Sequence, residues 1–153
     1  MQKVLFIAIS ILTSLQSVVA QETRVNCIIQ VNDQLVNGAF SDMHIKFENE
    51  SNKYYIGYVP GELHIPDSTY HRLLNNEVGI LYFNYNTFKG KKHLVENWKV
   101  ELPSILFKQE YLILNIYDFR DSKYKKMYSY LTEDSYIMNW NFPGGGILLP
   151  LKK

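Results

Sequence analysis

His64, Asp67 and His71 stand in the spacing His-x2-Asp-x3-His. Two imidazoles and a carboxylate are a donor set that zinc accepts, and a catalytic zinc leaves its fourth position to water. That chemistry would make the chain a metal-dependent hydrolase. The spacing, however, runs from an extended stretch across Pro66 into a helical one, so no single periodicity lines up the three side chains. A helical ligand pair would want histidines at i and i+4, which the chain lacks. The competing expectation is three surface side chains beside a turn. His44 and His93 could join them only through tertiary proximity.

Other chemistries find less support. Cys27, the only cysteine, sits in an apolar alternation, a poor place for the thiolate that nucleophilic catalysis needs. With no second cysteine there is no internal disulfide, and a small buried hydrophobe is the expected role. No Gly-x-Ser-x-Gly elbow occurs. Glu48/Glu50 and Glu133/Asp134 fall in turns, where solvated acids are expected. Gly144-Gly145-Gly146 lacks the Lys-Ser/Thr ending and following helix of a phosphate loop. No cofactor is expected.

Lys123-Tyr124-Lys125-Lys126-Met127-Tyr128 mixes bases with aromatic rings. Read with a period of two, Tyr124, Lys126, Tyr128 and Tyr130 share one face of a wet edge strand, the second arm of a hairpin turned at Arg120-Asp121-Ser122-Lys123. Tyrosines offer large, rigid contact area, so these four residues are the candidate partner-binding surface. The bland expectation is a solvated edge.

The elements that must position these residues come next. Residues 1–20 have a secretory leader's layout: Lys3, an apolar run from Val4 to Leu15, and Val18-Val19-Ala20 before a cut at Gln21. The leader's Ala-Gln ending is similar to signals of many Gram-negative envelope proteins. The expectation is an exported protein, periplasmic or secreted. Cleavage leaves residues 21–153 as a single domain with room for a real core. No transmembrane segment is expected after it. Loss of Lys3 brings the formal charge from +1 to zero, so no nucleic-acid footprint is expected. Lysine outnumbers arginine 13 to 3, and Asn, Tyr and Ile abound, the mark of an AT-rich genome. Asn49-Glu50-Ser51 is a glycosylation sequon, which matters only in a eukaryote.

Leu112, Leu114 and Ile116 fall on one side of a strand, with Ile113, Asn115, Tyr117 and Phe119 on the other. This is the expected central strand. Val25–Val31, Met43–Phe47, Tyr54–Tyr58, Ile80–Phe88, Trp98–Leu102 and Tyr136–Trp140 also alternate, and Ile147-Leu148-Leu149 suits a terminal strand. Asn32-Asp33-Gln34 reads as a turn and Asn37-Gly38 as a hairpin. Asp67 can cap a helix over 67–76, with Tyr70, Leu73 and Leu74 at helical spacing. Short strands, one short helix and no βαβ rhythm predict an all-β fold, mainly an antiparallel β-sandwich.

An opening strand with an Asn-Gly turn, the middle segment Gly61-Glu62-Leu63-His64-Ile65-Pro66 and then long strands resembles the transthyretin-like and carboxypeptidase-regulatory exported sandwich domains. The resemblance implies a fold, not an activity. The lead expectation is a non-enzymatic binding module for a protein or envelope component. The alternatives are a periplasmic inhibitor or immunity protein against a toxin or lysozyme-like enzyme, and the hydrolase built on His64, Asp67 and His71.

Overall fold

The computed structural model describes residues 21–48 and 50–149. The leader at 1–20 and Asn49 of the sequon lie outside them. The described residues form two sheets packed face to face, an all-β sandwich with mostly antiparallel strands.

Alternation sets the first strand. In β1 (Glu22–Val31), Val25, Cys27, Ile29 and Val31 are buried, while Asn26 and Ile28 face out. The chain reverses at Asn32-Asp33 into β2 (Gln34–Leu35). Both turn residues have left-handed backbone (φ 51° and 62°), the geometry a two-residue hairpin needs and one that Asn and Asp tolerate. The expected hairpin at Asn37-Gly38 is not one. That dipeptide carries the chain from β2 in the first sheet to β3 (Phe40–Phe47) in the second.

β4 (Tyr54–Tyr55) pairs β3, and β5 (Gly57–Val59) turns at Pro60-Gly61 into β6 (Gly61–Pro66), which lies against β1. α1 (Asp67–Leu74) follows where the sequence predicts a helix. Asp67 is its first helical residue rather than its cap: its carboxylate accepts from the Thr23 hydroxyl (2.7 Å). β7 (Gly79–Lys89) and β8 (Lys92–Leu102) make a long hairpin. Pro103 ends β8, and a 3-10 turn at Ser104–Lys108 tucks in Leu106 and Phe107. β9 (Leu112–Asp118), α2 (Ser122–Tyr128), β10 (Tyr136–Phe142) and β11 (Gly145–Leu149) complete the described chain. Pro143-Gly144 is a tight two-residue turn, and Gly145 and Gly146 belong to β11.

The larger sheet runs β11-β10-β9-β1-β6-β5, with β2 beside β1; the smaller runs β4-β3-β7-β8. β9 and β1 are the middle pair of the larger sheet and run parallel. Leu112, Leu114 and Ile116 are fully buried, as the sequence predicts. They join Ile29, Ile45, Leu63, Leu81, Phe83, Trp98 and Trp140 in one cluster between the layers. Leu73 of α1, the Leu106 turn and β6 close one end of that cluster.

The lysine-tyrosine segment is the main correction. Residues 122–128 are helical, so the expected edge strand bearing Tyr124, Lys126, Tyr128 and Tyr130 does not exist. The Asp121 carboxylate caps the helix by accepting from the Lys123 amide (2.8 Å), and no β-branched residue opposes it. Helical spacing then brings Tyr124 and Tyr128 together, four apart, and both stack on Tyr117 of β9 (5.4 and 4.7 Å between centroids). Tyr124 is 4% exposed and its hydroxyl donates to Asp33 (2.7 Å). Lys126 stays exposed, and Tyr130, 69% exposed, lies beyond the helix. The four do not form one surface.

This stacking has a measurable consequence at high pH. Burial first, then the negative charge that ionised Tyr128 and Asp33 would present, pushes the Tyr117 phenol up to about 12. An unfolded tyrosine ionises near ~10. Between these values the unfolded chain has lost the proton and the folded one has kept it, so stability falls as pH rises. The contribution is complete below about pH 10 and gone above about pH 12. Urea titrations from pH 9 to 12 should therefore show a shallower alkaline decline for Tyr117→Phe than for the wild type. Identical slopes would place Tyr117 outside the α2 contact.

Candidate binding groove

β7 and β8 are longer than the strand they pack beside. β3 pairs β7 from Phe47↔Gly79 to Phe40↔Tyr85, and one last backbone bond, from the Asn86 N–H to the Ala39 carbonyl (2.8 Å), ends the contact. β7 and β8 continue together from Asn86↔Val95 to Lys89↔Lys92. At about 3.4 Å per residue this overhang extends roughly 10–14 Å past β3. On its outer side Phe88 is 71% exposed, with the His93 ring 5.2 Å from it.

Under the arm the two layers separate. A groove of about 590 Å³ opens between Tyr85, Thr87 and Leu94 on the arm and Val31, Asn32 and Arg120 on the larger sheet. Arg120 forms its floor. Its Nε donates to Asp118 (2.7 Å), a second guanidinium nitrogen also meets Asp118, and a third lies 3.3 Å from Glu96 of β8. The Asp118 carboxylate beside it holds the guanidinium above its already high value, so the cation is permanent. Arg120 also lies over the Tyr85 ring (5.9 Å), which stacks on Trp98 (4.7 Å). Arg120 therefore joins the two sheets at the groove. Asp118 is engaged by Arg120, and Asp121 caps α2. Both carboxylates therefore have structural partners.

The outer edge of β8 borders this groove. Lys99 exchanges backbone hydrogen bonds with the Tyr136 hydroxyl (3.3 Å each), and the Trp140 indole donates to the Glu101 carbonyl (3.1 Å). His93, Val95 and Asn97 share the parity of Lys99 and Glu101, so their N–H and C=O groups point to the same side. Among the described residues those groups have no partner. The edge is thus closed at its base by two aromatic side chains and open towards the arm's tip.

The residues expected to bind metal are not assembled. His64 lies on β6 between two acids, Nε2 3.1 Å from Glu62 and Nδ1 3.6 Å from Glu22. Asp67 is held by Thr23, and His71 is exposed on α1. Among the described residues no group of three or more His, Cys, Asp or Glu is placed to hold a metal ion. Cys27 is 1% exposed, and burial raises its thiol far above the ordinary range, so it stays protonated. Neither the groove nor the open edge is visible in the sequence. A length mismatch between β7–β8 and β3 was the available signal, and it needs strand pairing to be read.

Arg120→Met keeps the stem and removes the charge that Asp118 faces. Asp118, 6% exposed, would be left without its cation, which predicts a loss of about 1–3 kcal/mol in urea unfolding, with Asp118→Asn restoring part of it in the double variant. An unchanged midpoint would deny Arg120 its role between the sheets. Comparison of the chain with family models, with curated proteins and with solved structures returned no match.

Proposed function

We propose that this chain is an exported, non-enzymatic module that binds an extended segment of another envelope protein. The carrying observation is the free outer edge of β8: His93, Val95 and Asn97 turn backbone groups away from β7, beside an open groove. An extended peptide satisfies such an edge with its own backbone, and alternate side chains reach the pockets next to it. Leu94 and Tyr85 offer apolar contact inside the groove, and Lys91, Lys92 and His93 make the arm's tip basic. The leader-like residues 1–20 support export, and among the described residues no helix is long and apolar enough to cross a membrane.

Proline tests the edge without disturbing the fold. At an outward-facing position of an edge strand it is tolerated, yet it removes the N–H a guest strand would use. Peptides enriched from a random display library on the wild-type protein should bind Val95→Pro about tenfold more weakly, with thermal stability preserved. Equal binding, or a library that yields no enriched sequence, discards the reading.

A second reading has its own observation. Phe88 stands on a projecting arm, the shape with which an inhibitor enters an enzyme's cleft. As a periplasmic inhibitor or immunity protein, the chain should slow a lysozyme-like enzyme or toxin, and Phe88→Ala should abolish that effect. Uninhibited lysis of peptidoglycan across a panel of such enzymes removes this alternative.

A further inference from the structure

The solvent face of the smaller sheet carries an aromatic row unrelated to the groove. Register places Tyr55 opposite His44, His44 opposite Tyr82 and Tyr82 opposite Lys99, so four strands contribute one residue each. The next rows are Ser41, Asn84 and Asn97 on one side, and Lys46, Ile80 and Glu101 on the other. Tyr55 is 60% exposed, whereas His44, although on the outward side, is only 5% exposed. It is enclosed by rings: Tyr82 lies parallel to it (5.4 Å, 9°) and Tyr55 tilted beside it (5.8 Å).

The bonding of that imidazole is incomplete. Nδ1 lies 2.8 Å from the Asp42 carbonyl. A carbonyl only accepts, so this contact assigns a proton to Nδ1. Among the described residues Nε2 has no hydrogen-bond partner. The arrangement is held by a β-bulge between Ser41 and His44, where Asp42 adopts φ 50°. Left-handed backbone at a non-glycine residue is costly, and bulges commonly re-aim a neighbouring side chain. The Asp42 carboxylate lies 3.4 Å from Lys53 and 3.6 Å from His44 Nδ1, while the Lys53 ammonium lies over the Tyr55 ring (6.0 Å) and that of Lys46 over the Tyr82 ring (5.5 Å).

We propose that Tyr55, His44 and Tyr82 form a binding site for a pyranose unit of an oligosaccharide. The C–H face of a pyranose packs on an exposed aromatic ring, and Tyr55 supplies one. Its hydroxyls need acceptors and donors at the ring's edge. With the ring neutral, His44 Nε2 accepts from a hydroxyl, and the Asn84 and Asn97 amides offer both functions. Lys46 and Lys99 beside the row can donate to the sugar's oxygens. A protein partner would want aliphatic area, and these rows hold one aliphatic side chain, Ile80.

The test is a printed array of pyranose oligosaccharides probed with the wild-type protein, followed by NMR titration with the best-bound sugar. The site predicts saturable binding, with shifts concentrated on the His44 imidazole and the Tyr55 ring. Tyr55→Ala, on an exposed two-residue edge strand, should weaken binding at least tenfold at unchanged thermal stability. His44→Phe keeps the stack and removes the acceptor, and should do the same. Val95→Pro should leave the sugar bound, which separates this site from the groove. A blank array, or a bound sugar indifferent to Tyr55→Ala, overturns the assignment. So does a blank array with Tyr55→Ala abolishing peptide binding, since the face would then belong to a protein.

Discussion

β1 and β9 lie side by side in the middle of the larger sheet, parallel, joined from Cys27↔Leu112 to Val31↔Ile116. More than eighty residues separate the paired positions, and a parallel pair cannot be made by a hairpin. The whole smaller sheet is threaded through that interval. Beyond the register the pair is fastened by Asn32, whose amide donates to the Ile116 carbonyl (2.9 Å) and whose side chain accepts from the Asp118 amide (2.8 Å). The only cysteine is buried within β1, so no covalent bond shares the load. Burial of Ile29, Leu114 and Ile116 between the layers, each at 0% exposure, is what makes the long loop closure worthwhile. Disrupting this pair would separate β6 from β9 and open both faces of the core at once.

The tyrosines take over part of the role that disulfides play in many small domains. The Tyr58 hydroxyl accepts from the Ile29 amide (3.0 Å), where β6 no longer pairs β1. Tyr136 closes the β8 edge, Tyr70 donates to the Phe107 carbonyl (3.2 Å), and Tyr54 donates to Glu50 (2.9 Å). Arg72 completes that last contact: its guanidinium lies 3.7 Å over Phe47 and pairs with Glu50 (2.6 Å), tying α1 to the chain beyond β3. Bonding to Arg72 and Tyr54 lowers the Glu50 carboxyl below its ordinary value. Tyr58, Tyr70 and Tyr136 each bond a segment distant in sequence through the hydroxyl, and Tyr54 a neighbouring turn. An abundance that looks like genomic bias in composition is structural at these positions.

What was legible in the residues follows from the range of the interaction that sets each feature. Period-two burial is local, so β1 and the Trp98–Leu102 half of β8 could be drawn from alternation, β9 from its β-branched and aromatic residues, and α1 from Asp67 and the spacing of Tyr70, Leu73 and Leu74. The 122–128 helix was misread because Tyr-x-Lys-x-Tyr repeats every two residues and Tyr124/Tyr128 repeats every four; the ring that decides between them, Tyr117, sits on another element. Asn37-Gly38 has hairpin chemistry, but Asn32-Asp33 reached the left-handed turn first, and the later pair serves the crossing between sheets. The 3-10 turn after Pro103 had no periodic signal of its own. The groove and the aromatic row were invisible for a further reason. One depends on how far β7 outlasts β3, the other on which residues of β4, β3 and β7 stand opposite one another. Register is a property of pairs of strands and is not written in either strand alone.

That distinction also separates the rings that hold the fold from those free to meet a ligand. Tyr54, Tyr58, Tyr70, Tyr124 and Tyr136 each engage a partner through the hydroxyl, so substitution there would disturb structure and function together. Tyr55 differs from its neighbour Tyr54 by one position and therefore by one face of the sheet. Tyr54 packs on Phe47 (5.5 Å) against the core, whereas Tyr55 stands outside against His44. His44 in turn owes its near-complete burial to rings on the solvent side, not to the core. A histidine enclosed from outside, with one nitrogen fixed by backbone and the other unpaired, contributes little to the packing that holds the sheets together. Its surroundings are better explained by what can approach from solvent than by what lies beneath the strand.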